Sequence, residues 1–158
     1  MRNVLLLVFA VASLSLTGCG SVESLPTRVR ERFEAPQPKT RVYPAEQRAV
    51  FAAAERAMKR IGFTISRAGA AQGIIRAHSP LRSGDGFGVA RQYSLEVRVQ
   101  SFDPGVTQVA VVLREQEESA SFAGATDIPV KEHALYGSYF GGLEDELGVK
   151  GTEVGAGF

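Results

Sequence analysis

His78 is followed directly by Ser79, and His133 stands 55 positions further on. A histidine beside a serine could supply a general base and a nucleophile, provided that an acid orients the imidazole. No G-x-S-x-G turn surrounds Ser79 and no orienting acid is evident in sequence. The two histidines do not share a helix-borne spacing such as H-E-x-x-H, and Cys19 is the only cysteine. No zinc ligand set is therefore spelled out. Carboxylates adjoin at Glu117 and Glu118 and again at Glu144, Asp145 and Glu146. General acid–base work would need buried acids with divergent pKa values, whereas these follow a strand and crowd a helix end, so they read as solvated charge. The glycines of "SPLRSGDGFGVAR" (residues 79–91) could cradle a phosphate only if the loop led from a strand into a helix. It joins two strands instead. No catalytic residue, cofactor or metal is expected, and the chain is not expected to be an enzyme. The same loop exceeds ordinary hairpin length. Its Phe87, set among glycines and flanked by Arg82 and Arg91, is the expected partner contact.

Cys19 has a different chemistry to offer. Arg2 opens the chain, and residues 4–16, "VLLLVFAVASLSL", are almost wholly apolar. A positive start and a short apolar core describe a secretory signal, too short to span a bilayer as a helix. Leu16, Thr17, Gly18 and Cys19 follow, and this tetrad resembles the lipobox of bacterial lipoproteins. The resemblance implies cleavage between Gly18 and Cys19, a diacylglycerol on the Cys19 sulfur and a third acyl chain on the new amino terminus. Several chains anchor stably where one holds only marginally. Gly20 stands where an aspartate resembles an inner-membrane retention signal. The resemblance thus implies the periplasmic face of the outer membrane.

Residues 1–18 being a signal peptide, 140 residues remain, enough for one domain with a real core. The whole chain carries 18 Lys and Arg against 17 Asp and Glu, a balance that gives no support for nucleic-acid binding. Residues 19–41 read as a lipid-anchored tether, broken by Pro26, Pro36 and Pro38 and without apolar period. Its Arg28, Arg30, Arg32, Lys39 and Arg41 would form a mildly basic strip, each charge worth ~1 kcal/mol close to anionic headgroups.

The elements that must hold any site begin after Tyr43. Pro44 suits a first helical turn, and Val50, Phe51, Ala54, Ala57, Met58 and Ile61 recur at helical spacing up to Gly62. Phe63 to Ser66 and residues 73–78 read as short strands. Residues 92–100, "QYSLEVRVQ", alternate strictly, with Tyr93, Leu95, Val97 and Val99 on one face. "DPG" at 103–105 turns the chain into a partner strand from Val106. A second helix is expected from near Pro129 to Leu147, with Gly141 and Gly142 each costing about 1 kcal/mol in its interior. They would either admit a close approach to the sheet or kink the helix. Residues 149–158 read as a loose tail.

The expected fold is α+β: a two-layer domain over residues 42–148, with a four-stranded antiparallel meander and an N-terminal and a C-terminal helix on one face. "VYPAEQRAVFAAAERAMKRIGFTI" followed by "GIIRAH" resembles the opening of small uncharacterised bacterial lipoprotein domains. It is also similar to the helix-grip domains of the outer-membrane barrel-assembly lipoprotein. The expected function is a non-catalytic interaction domain facing the periplasm and contacting envelope proteins or cell wall. The alternative is a binder of a small apolar ligand or lipid between sheet and helix.

Overall fold

The computed structural model describes residues 37–83, 89–119 and 125–154. The chain runs β1 (Lys39–Tyr43), α1 (Gln47–Arg60), β2 (Thr64–Gly69), β3 (Ile74–His78), β4 (Arg82–Ser83), β5 (Val89–Asp103), β6 (Val106–Ser119), β7 (Ala125–Val130), α2 (Ala134–Leu147) and β8 (Thr152–Glu153). The strands form one antiparallel sheet of eight, ordered β2-β3-β5-β6-β1-β8, with β4 on β5 and β7 on β6. The expected α+β domain with a four-stranded meander is thereby overturned: the architecture is mostly β.

Four strands escaped the pattern for physical reasons. β4 and β8 have two residues each, too short for any period. β1 turns Lys39, Arg41 and Tyr43 towards the core side, so it shows no apolar alternation, and Lys39 and Arg41 belong to the sheet rather than to a tether. β7 contains Pro129, taken above as a helix start. Proline lacks an amide donor, and an edge strand can spare one. Pro44, too, lies before α1 in the turn where the Ala45 amide donates to the Tyr43 carbonyl at 2.9 Å. β8 falls in the stretch read as a loose tail and pairs with Arg41 and Val42.

Register aligns the core. Leu95, Val97 and Val99 of β5 face Leu113, Val111 and Val109 of β6, while Ala77 and Ile75 of β3 face Leu95 and Val97. All eight are buried beneath Val50, Phe51, Ala54, Ala57 and Met58 of α1 and Tyr136, Tyr139, Phe140 and Leu143 of α2. These helix positions follow the 3.6-residue period that makes one apolar stripe. Lys59 and Arg60 in the last turn of α1 complement its dipole. Gly73 is obligatory: at φ +64°, a Cβ there would lie 2.1 Å from the Val99 carbonyl oxygen. Gly141 is exposed with open space around it, whereas Gly142 is buried against Ala57 of α1. Of the two, only Gly142 therefore serves a close contact, and that contact is with α1 rather than with the sheet.

β1 and β7 occupy the same edge of β6 in succession, β7 opposite residues 113–118 and β1 opposite residues 107–111. An ion pair between Lys39 and Glu132 spans the break between them.

Candidate functional site

The catalytic readings of the sequence come apart at His78 and Ser79. His78 lies opposite Thr64 and Ser94, on the sheet face away from the core. Ser79 is buried, and its hydrogen bonds are spent on the backbone. Its amide donates to the Tyr93 carbonyl at 2.8 Å, its Oγ accepts from the Tyr93 amide at 3.0 Å, and Oγ donates to the Pro80 carbonyl at 3.1 Å. Gln92 Nε2 adds a bond to the Ser79 carbonyl at 2.8 Å. Ser79 thus knits the break between β3 and β4 to β5. His133 is the N-cap of α2, its Nδ1 accepting from the Leu135 amide at 3.1 Å while its ring lies 5.0 Å from that of Tyr93. Among the described residues no hydrogen bond joins either histidine to Ser79.

The acidic runs are fasteners between elements. Arg56 pairs with Glu146 at 2.6 Å and Arg60 with Asp145 at 2.8 Å, tying α1 to α2. Arg41 Nη1 meets Glu144 at 2.9 Å and Nη2 meets Glu153 at 2.7 Å, tying β1 to α2 and β8. The guanidinium carbon of Arg41 also lies 4.6 Å from the centre of the Phe140 ring. Sequence reasoning missed this cluster because an arginine in an apparent tether carries no signal of its partners. Two fully buried tyrosines, Tyr43 and Tyr139, neighbour it, and neither hydroxyl has a hydrogen-bond partner among the described residues. Burial pushes both hydroxyls well above the ordinary tyrosine range.

Of the expected partner contacts, Phe87 lies outside the described residues, as do Gly18 and Cys19. Arg82 and Arg91 are brought together, directly opposite each other on β4 and β5. Arg91 in turn faces Glu117 on β6 and pairs with it at 3.1 Å, with Glu115 at 3.9 Å. Arg82 has no acidic partner among the described residues. Here β5 and β6 have run beyond the core: Leu95 and Leu113 are buried, but Arg91 and Glu117 on the same face are about 40% exposed. The ends of β5 and β6 remote from their turn are thus an arm, flanked by β4 and β7 and carrying Arg82 and Arg91, with the 64%-exposed Leu81 next to Arg82.

Among the described residues no group of three or more His, Cys, Asp or Glu converges as a metal site, and no helix is long and apolar enough to cross a membrane. Twenty apolar side chains are buried in the core between sheet and helices. Neither a protein-family model nor a curated protein matches the sequence.

Proposed function

We propose that the chain is a lipid-anchored envelope protein whose folded unit works by contact, through the arm of β5 and β6. The apolar segment and the Leu16, Thr17, Gly18, Cys19 tetrad support the anchor, with Cys19 acylated at the periplasmic face of the outer membrane. The observation that carries the contact reading is the Arg82–Arg91 pair. Like charges directly opposite on neighbouring strands weaken a sheet, and among the described residues acids match Arg91 but not Arg82. A partner carboxylate at Arg82 would offset the repulsion, and Leu81 next to it would gain from burial. Arginine anchors in such settings often dominate interface energy.

A photo-cross-linking residue at Leu81, in cells, tests this reading, with the same residue at exposed Lys59 of α1 as control. The expected result is a single defined envelope protein captured at Leu81, lost on Arg82→Glu, and not captured from Lys59. Identical adducts from both positions would refute the arm as a contact site. Cys19→Ser should release the protein from membranes; continued fractionation with the outer membrane, lipid attached, would refute the anchor.

A further inference from the structure

The sheet has a second face, which neither helix covers. Ile74, Arg76 and His78 of β3, Ser94, Glu96 and Arg98 of β5, Ala110, Val112 and Arg114 of β6, and Thr40 and Val42 of β1 alternate with the core residues and so point outward. Its middle is a shallow concavity of about 400 Å³, lined by Pro38, Glu96, Arg98, Ala110, Val112 and Arg114. Pro38, Ala110 and Val112 supply a small apolar floor, and an arginine stands on either side of it.

The charges around this floor are uneven. Arg76 and Arg98 share the single carboxylate of Glu96, at 2.8 and 3.0 Å. Burial raises the Glu96 carboxyl, but the hydrogen bonds from Arg98 and Arg76 outweigh it and hold the group below its ordinary value. Arg114 pairs with Asp127 at 3.1 Å through Nη1, and its other donors have no partner among the described residues. Arg67 lies directly opposite Arg76 and has no acid among the described residues. This surface asks for added negative charge at its ends and not at its centre, where Glu96 already sits opposite Val112.

We propose that this second face is a docking surface for an extended acidic segment of another protein, with carboxylates on Arg98 and Arg114 and an apolar side chain between them on Ala110 and Val112. Register sets the spacing. Arg98 faces Ala110, and Ser94 faces Arg114, so the two arginines lie four residues apart along the strands. At 3.3–3.4 Å per residue that is about 13 Å. An extended chain places residues i and i+4 at the same separation and turns i+2 to the same side. The recognised pattern is therefore acid-x-apolar-x-acid. Glu96 disfavours an acid in the central place, which gives the pattern its polarity of charge. The surface is separate from the arm and does not depend on it.

The test uses the full acylated chain in non-ionic detergent and short labelled peptides read by fluorescence anisotropy at low salt. A peptide centred on Glu-x-Leu-x-Glu should bind, and those centred on Lys-x-Leu-x-Lys or Glu-x-Glu-x-Glu should bind several-fold more weakly. Arg98→Glu and Arg114→Glu should each weaken the first peptide about fivefold or more, and added salt should weaken it further. The double variant should reverse the preference and take the Lys-x-Leu-x-Lys peptide, a gain that a misfolded protein could not show. Arg82→Glu in the arm should leave peptide binding unchanged. Equal binding of the three peptides, or charge reversals without effect, would overturn the proposal. So would vesicles containing phosphatidylglycerol that bind this face while the peptides do not, which would make it a membrane surface.

Discussion

Arg41 and Glu144 stand 103 positions apart in the chain, yet Nη1 of one donates to Oε1 of the other at 2.9 Å, with each side chain only about one-fifth exposed. The same Glu144 oxygen accepts from the Gly151 amide at 3.2 Å. The pair thus clasps β1, α2 and the segment entering β8. Arg41→Met keeps an apolar stem beside Phe140 but leaves the half-buried Glu144 with only the Gly151 amide, and should cost about 1–3 kcal/mol. Lys39→Met removes a largely exposed pair with Glu132 and should cost under about 1 kcal/mol. Urea denaturation of both variants checks the ranking; equal losses would show that the clasp is not a stabilising element.

The two buried tyrosines of α2, Tyr136 and Tyr139, differ in one respect. The Tyr136 hydroxyl accepts from the Leu113 amide at 3.0 Å and donates to the Val130 carbonyl at 2.8 Å. The Tyr139 hydroxyl is fully buried with no partner among the described residues. Tyr136→Phe should therefore cost about 1–2 kcal/mol, while Tyr139→Phe should be neutral or stabilising. Thermal melts of the two variants moving in the same direction by the same amount would contradict this assignment.

Stability should depend on pH at both ends. In the folded chain Tyr43 and Tyr139 keep their protons well above 10.0, the value for free tyrosine. The folded state then binds more protons than the unfolded one above that pH, so their contribution is complete below about pH 10 and falls as pH rises. Glu96 is shifted the other way from 4.5, so its contribution is present above that value and fades on acidification through the folded pKa. Denaturation midpoints measured from pH 3 to pH 11 should show a plateau with losses on both flanks. The double variant Tyr43→Phe, Tyr139→Phe should flatten the alkaline flank, and an unchanged flank would disprove the link.

Neighbouring residues on β5 should respond oppositely to the same substitution. Val97 is fully buried between Ile75 and Val111, and Val97→Asp should cost several kcal/mol, about 3 or more, by burying an unpaired charge. Arg98 is 58% exposed, and Arg98→Asp should change stability by under about 1 kcal/mol. Melting temperatures by circular dichroism decide this.

Two exposed glycines weaken α2. A Cβ at Gly137 or Gly141 would meet nothing within 4 Å, so each change to alanine should stabilise by about 0.5–1 kcal/mol. Gly73→Ala should instead destabilise, since its Cβ would strike the Val99 carbonyl. A gain at Gly73 would place the β3 entry turn elsewhere.

The parts of this fold legible in sequence are those whose pattern is local. Leu95, Val97 and Val99 alternate because a strand with one covered face has period two, and Val50, Phe51, Ala54, Ala57 and Met58 recur because a half-buried helix has period 3.6. Gly148 was readable as a stop for α2, and it caps that helix at φ +69°. Of the candidate contact site, Arg82 and Arg91 were visible as flanks of a long loop, but not their cross-strand opposition.

The rest was decided by distant partners. β1, β7 and β8 exist because β6 and then β1 present free backbone donors and acceptors along an edge. Such hydrogen bonds are made by the peptide group of nearly any residue and leave little trace in side-chain type. Arg41 looked like tether charge until α2 placed Glu144 against it, and Arg67, Arg76, Glu96, Arg98 and Arg114 became one charged surface only through strand register. By itself the sequence determined which faces are apolar and where the chain turns, since burial and backbone geometry act on neighbouring residues. Only the tertiary structure decided which charges meet, because an ion pair is chosen by position in space.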